Sequence, residues 1–116
     1  MTVRIYHNPR CSKSRQTLAL LREQGIDPQI IEYLKTPPDA EALRELLQLL
    51  DIAPLDLVRR KEAEFQESGL DQGEPDAERV VEAIVRFPKL MERPVVVSNG
   101  RAAIGRPPEA VLDILN

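Results

Sequence analysis

Cys11 is the only cysteine of the chain, and it stands in the polar run His7-Asn8-Pro9-Arg10-Cys11-Ser12-Lys13-Ser14, between a short alternating segment and a helical one. A thiol at that place can act as a nucleophile. The unpaired N–H groups of the first helical turn and the positive end of the helix dipole face its sulfur and favour the thiolate. Lys13 and Arg15 add positive charge nearby. An unperturbed thiol is only about 3% ionised at pH 7, whereas a pKa near 6.5 makes it roughly three-quarters thiolate. A buried structural cysteine, packing as a small hydrophobe, is the alternative. It belongs on an apolar stripe more naturally than in this run.

Three further groups bear on that chemistry. His7 lies four residues before Cys11 and can either pair with the thiol as base or ion partner, or end a strand bonded to backbone. Ser14 holds the place of the second thiol in a Cys-x-x-Cys motif. Its hydroxyl can donate to the Cys11 sulfur or satisfy backbone in the first helical turn, but it cannot resolve a mixed disulfide. With one cysteine in the chain, any bond that Cys11 forms in turnover must be broken by an external thiol. Arg93 and Arg106 each precede a proline, which holds the backbone extended and projects the side chain from a rigid support. Arg59, followed by Arg60, ends a short apolar segment. Converging, the three arginines Arg59, Arg93 and Arg106 would cradle a tetrahedral oxyanion; apart, they are solvated surface charges.

Composition narrows the field. One cysteine and one histidine allow no cysteine-based metal cluster and no internal disulfide, and they argue against a zinc site. A lone thiol suits a reducing compartment, so a cytoplasmic location is expected. The net charge of −3 argues against non-specific nucleic-acid binding, which depends on an excess of Lys and Arg. No run approaches the roughly 18 apolar residues of a membrane span, and the start of the chain reads as a strand, not a signal peptide. At 116 residues the chain is expected to be one domain, 1–116, with an aliphatic core, since it has no tryptophan and only two tyrosines and two phenylalanines.

The elements that must position these residues follow from periodicity. Residues 2–6 alternate as a strand, 12–24 form a helix closed by Gly25, and 29–34 form a second strand. Strand, helix and strand in that span make a βαβ unit with parallel strands and a right-handed crossover. Asp39 caps a helix with the stripe Leu43, Leu46, Leu47 and Leu50. A short helical piece is expected over 54–59, an irregular polar excursion over 61–75, and a helix after Asp76 carrying Val80, Val81, Ile84 and Val85. Asn99-Gly100 between two apolar runs predicts a hairpin, and a final helix spans 108–115. An α/β architecture with a mixed four-stranded sheet fits this order.

Ile5-Tyr6-His7-Asn8-Pro9-x-Cys11-x-x-Ser14-Arg15, Leu34-x-Thr36-Pro37-Pro38, Leu57-Val58-Arg59, Glu92-Arg93-Pro94-Val95-Val96-Val97, Gly105-Arg106-Pro107 and Val111-Leu112-Asp113-Ile114-Leu115 occur in this order. Together they resemble the glutaredoxin-coupled arsenate reductase family over essentially the whole chain. The resemblance implies a thioredoxin-like fold with an inserted helical segment at about 37–90. It implies Cys11 as nucleophile, His7 as the nearby histidine, Arg59, Arg93 and Arg106 as oxyanion ligands, and Pro94 as a structural proline, typically cis, near the cysteine. The implied chemistry is thiolate attack on arsenate, displacement by glutathione as co-substrate, and reduction of the mixed disulfide by glutaredoxin, with no bound cofactor. Relatives in the wider superfamily suggest two other readings. One is a regulatory module docking on RNA polymerase; the other is a general glutathione-dependent thiol reductase. Ser14 excludes the Cys-x-x-Cys disulfide switch that such regulators carry.

Overall fold

The computed structural model describes residues 2–115 and divides into two compact units, one built from 1–36 with 93–116 and the other from Pro37–Glu92. The first unit holds strand β1 (Val3–His7), helix α1 (Ser12–Glu23), strand β2 (Gln29–Glu32) and the hairpin strands β3 (Val95–Ser98) and β4 (Arg101–Ile104). The sheet order is β2-β1-β3-β4, with β2 parallel to β1, and β3 antiparallel to both β1 and β4. This mixed sheet, with α1 entering directly from β1, is the thioredoxin-like arrangement. Its two central strands are the most deeply buried. Ile5, Val95 and Val96 are fully enclosed, and Ile5, Val96, Leu18, Leu21, Val111 and Ile114 share one aliphatic cluster. That side-chain set is what a sheet face and one helical stripe must bury to hold together.

Local signals explain the turns. Gly25 takes φ +78° just beyond the α1 C-cap, as glycine does there, and Ile26 N–H closes the turn on the Leu21 carbonyl. Asn99 and Gly100 both have positive φ, so they form the two-residue turn whose twist matches a hairpin. Strand β2 stops at Glu32, earlier than the apolar run suggests. The N–H groups of Lys35 and Thr36 both donate to the Glu32 carbonyl, turning the chain and leaving Leu34 exposed.

The C-terminal segment Pro108–Ile114 is a 3₁₀ helix, not the α-helix that periodicity suggested. Pro108, Val111 and Ile114 are all buried at a spacing of three, and in a 3₁₀ helix side chains three apart eclipse. A three-residue repeat of buried positions therefore selects this tighter winding.

The second unit contains α2 (Ala40–Leu50), the one-turn helix α3 (Glu64–Glu67), α4 (Ala77–Arg86) and two short 3₁₀ turns at Pro54–Leu57 and Pro88–Leu90. Asp39 and Asp76 cap α2 and α4, accepting from Ala42 N–H and Arg79 N–H at 2.9 Å each. The two helices pack on each other through Leu43, Leu46 and Leu47 on one and Val80, Val81 and Ile84 on the other. Val85, expected in that stripe, is exposed and Ala83 is buried instead. The stripe is centred between Val80 and Ile84, and at about 100° per residue Val85 falls outside it. Residues 61–75 are less of a surface excursion than their polarity suggests, because Leu70 is buried. No helix among the described residues is long and apolar enough to cross a membrane.

Candidate active site

The site grows out of the β1–α1 turn. Asn8, itself buried, shapes that turn with three polar groups. Its carbonyl accepts from Cys11 N–H at 3.0 Å, its Oδ1 accepts from Arg10 N–H at 3.0 Å, and its own N–H donates to Ser14 Oγ at 3.0 Å. The Oδ1 contact is an Asx-turn, which leaves the chain poised to enter a helix. Cys11 follows as N-cap, with extended backbone (φ −94°, ψ 125°), and Arg15 N–H donates to its carbonyl to open α1.

Cys11 is a free, buried thiol. It makes no conventional capping bond; instead its sulfur is surrounded by donors. Arg106 Nη2 lies 3.6 Å from Sγ. Burial pushes the thiol up, but a hydrogen bond from the Arg93 side chain, the backbone N–H of Ser14, the charge of Arg93 and the N–H of Lys13 together outweigh it, and the pKa falls below the ordinary thiol value. The groups that lower it all favour the anion, which is the state a nucleophilic sulfur requires.

The two arginines are held together by backbone. Arg106 Nε donates to the Arg93 carbonyl at 2.9 Å, and Gly105 N–H donates to the Pro94 carbonyl at 2.9 Å. Both Arg93–Pro94 and Arg106–Pro107 are cis peptides. Gly105 belongs to this clamp. A Cβ added there would lie 2.5 Å from Thr17 Oγ1 and 2.8 Å from Pro94 Cγ, so only glycine lets the β4 exit approach α1 and the Pro94 loop this closely. Two guanidinium groups beside one sulfur make an anion site: they favour the thiolate and supply forked donors for a second negative group.

Ser14 and His7 form a second layer beneath the turn. Ser14 is fully buried, and its Oγ lies 3.1 Å from His7 Nδ1. That oxygen also accepts from Asn8 N–H, so the one hydroxyl ties the ring to the turn backbone. Burial, with Arg22 and Arg15 nearby, lowers the His7 pKa despite the opposing charge of Glu32. The ring is thus neutral at pH 7. Of the two roles open to the Ser14 hydroxyl, donating to the Cys11 sulfur or satisfying backbone, the structure shows the second, with Asn8 N–H as the backbone partner. The hydroxyl is committed to His7 and Asn8, and the group that Ser14 turns toward the sulfur is its N–H. Among the described residues no hydrogen bond joins the His7 ring to the sulfur.

Arg59 belongs to the second unit. It sits beyond an isolated bridge between Val58 and Met91, its N–H donating to the Leu90 carbonyl at 2.7 Å. Its guanidinium pairs with Glu92 at 2.9 Å and Glu62 at 3.4 Å. Arg60 is more exposed and only loosely paired with Asp56 at 3.8 Å. Of the residues singled out by sequence, the structure therefore gathers Cys11, Arg93, Arg106 and Pro94 in one place and His7 with Ser14 beneath it. Asn8 and Gly105 stood in the quoted motifs without a role of their own, and Thr17 was not singled out. Only Asn8 carried a signal, since Asn-Pro marks a turn; the glycine contact depends on a residue 88 positions away.

Comparison with known proteins agrees with this geometry. The ArsC family model matches residues 6–114. The uncharacterized protein YfgD of Escherichia coli K12 is 53% identical over 114 residues, 97% of this chain and 96% of its own. An arsenate reductase of Neisseria meningitidis serogroup A is 43% identical over 114 residues, 97% of each chain. The solved arsenate reductase from Vibrio cholerae superposes with a TM-score of 0.93 at 50% identity, covering 99% of this chain and 98% of the other. Cys11, Arg93 and Arg106 all lie within the matched span, and this chain belongs to the ArsC family.

Proposed function

We propose that this protein reduces arsenate to arsenite, using Cys11 as nucleophile and external thiols as the source of electrons. The observation that carries the reading is the placement of Arg93 and Arg106 against a thiol whose pKa is lowered. Such a site binds an oxyanion and the sulfur that attacks it. In the first step the Cys11 thiolate attacks arsenic(V), a sulfur–arsenic bond forms, and one arsenic–oxygen bond breaks as its hydroxyl takes a proton from solvent and leaves as water. Arg93 and Arg106 orient the remaining oxygens and carry their charge. In the second step the sulfur of glutathione attacks Cys11 Sγ. The sulfur–arsenic pair stays with arsenic, which departs as arsenite, reduced by two electrons. The mixed disulfide left on Cys11 is opened by glutaredoxin, returning the thiol. His7 and Ser14 hold the turn that presents the sulfur, and Pro94 supports it. A reducing cytoplasm supplies both thiols.

The single cysteine supports the dependence on outside thiols. The two arginines at the sulfur favour an oxyanion substrate over a general disulfide reductase and over a docking module, neither of which needs them. The test is to incubate the protein with arsenate, glutathione and glutaredoxin and measure arsenite. Production well above a Cys11→Ser control is expected; none above that control overturns the proposal.

A further inference from the structure

Charge is distributed unevenly along this chain. The net −3 divides into an acidic second unit, with seven Lys and Arg against fourteen Asp and Glu, and a basic first unit, with nine against five. Within the first unit the asymmetry centres on the nucleophile. No Asp or Glu precedes Glu23, whereas Arg4, Arg10, Lys13, Arg15 and Arg22 all do. Arg10, Lys13, Arg15 and Arg22 are exposed.

The helix arranges two of them. Arg15 and Arg22 lie four and eleven residues beyond Cys11, so at about 100° per residue they follow one face of α1, separated by about 10 Å along its axis. Arg15 is fixed in place, its Nη1 donating to the Pro9 carbonyl at 3.0 Å on the nucleophile turn. Both arginines depress the His7 pKa, placing their charge close to that ring. Between them runs an open groove of about 680 Å³, floored by Pro9, Leu18 and Ala19, with Glu23 at its far end. An apolar floor with cationic walls and one anionic end fits a short peptide carrying more carboxylate than ammonium. Three extended residues span about 10 Å, the distance between the two arginines.

We infer that this groove, walled by Arg15 and Arg22, is a docking surface for the external thiol, and that it selects a small peptide thiol with free carboxylates. The inference rests on the proposed role of Cys11 as the group that receives that thiol. Charge at the surface then decides which reductant reaches the sulfur, separately from the arginines that hold the oxyanion. Cationic surfaces of this kind raise encounter rates with anions by factors of 10 or more, and salt removes the effect.

The experiment needs no arsenic. The reduced protein is mixed with oxidised glutathione, hydroxyethyl disulfide or cystamine, which are anionic, neutral and cationic. In each case the Cys11 thiolate attacks one sulfur, the S–S bond breaks and a thiolate leaves; mass spectrometry follows the mixed disulfide. Dividing by the neutral probe's rate cancels any change in thiol reactivity or folded fraction. The glutathione ratio is expected to exceed the cystamine ratio at low salt and to converge with it at high salt. Arg15→Glu combined with Arg22→Glu should lower the glutathione ratio about tenfold and raise the cystamine ratio. Arg22→Glu alone, which leaves the Arg15–Pro9 contact in place, should give part of the same change. Ratios unmoved by either variant overturn the docking surface. No reaction with the neutral probe would instead remove Cys11 as a nucleophile, and with it the proposed function.

Discussion

The sulfur of Cys11 is governed by groups that come from both near and far in sequence. The near ones, the Lys13 and Ser14 amides, follow from the N-cap position and were legible in the spacing of a strand, a polar turn and a helix. Arg93 and Arg106 were legible as residue types before prolines, but their convergence was not, because it depends on the pairing of β3 with both neighbours. Arg93 is the strongest single influence holding the thiol down, so its removal acts on two quantities at once. Arg93→Gln should move the midpoint of Cys11 alkylation by iodoacetamide up toward the ordinary thiol value, about 8.5. It should also cut arsenite production on the order of 10- to 100-fold, the effect of losing one charged hydrogen bond. An unmoved alkylation midpoint would show that the thiolate owes nothing to that guanidinium. Ser14 teaches the opposite lesson. Its place in the motif left contact with sulfur and contact with backbone both open, because a buried hydroxyl satisfies whichever partners surround it, and here these are Asn8 and His7.

At the scale of elements, the βαβ unit, the hairpin and the Asp39 cap were all readable, since each is specified by local chemistry. The 3₁₀ winding of Pro108–Ile114 was not. Val111, Leu112, Ile114 and Leu115 fit an α-helical stripe equally well, and only the neighbouring β4 and α1 decide which of them are buried. The same dependence on tertiary approach makes Gly105 sensitive. Gly105→Ala must displace either buried Thr17 or Pro94, and overpacking of this kind costs about 1–3 kcal/mol. A melting temperature lowered by several degrees is expected. Combining it with Thr17→Ala, which removes the nearer of the two clashes, should recover part of the loss. No loss in the single variant would mean that the β4 exit moves away freely.

The whole molecule has one histidine and one cysteine, and both have lowered pKa values. Each therefore binds fewer protons folded than unfolded, so stability rises with pH over the range they span. The His7 contribution is present above its unfolded pKa near 6.5 and is lost as pH falls through the lower folded value. The Cys11 contribution is complete only above about 8.5 and is lost as pH falls through its own folded value. Urea midpoints measured from pH 5 to 9 should climb throughout. His7→Gln should flatten the acidic limb and Cys11→Ser the alkaline one; limbs unchanged in both variants would contradict the assigned protonation states. The position that would hold a second thiol is occupied by a hydroxyl tied into the turn, and this has a consequence for electron storage. The protein holds no dithiol–disulfide couple of its own and so has no intrinsic midpoint potential. Under the proposed reduction, readiness for substrate at any moment reports the thiol balance of the surroundings, and the cycle stops wherever that balance turns oxidising.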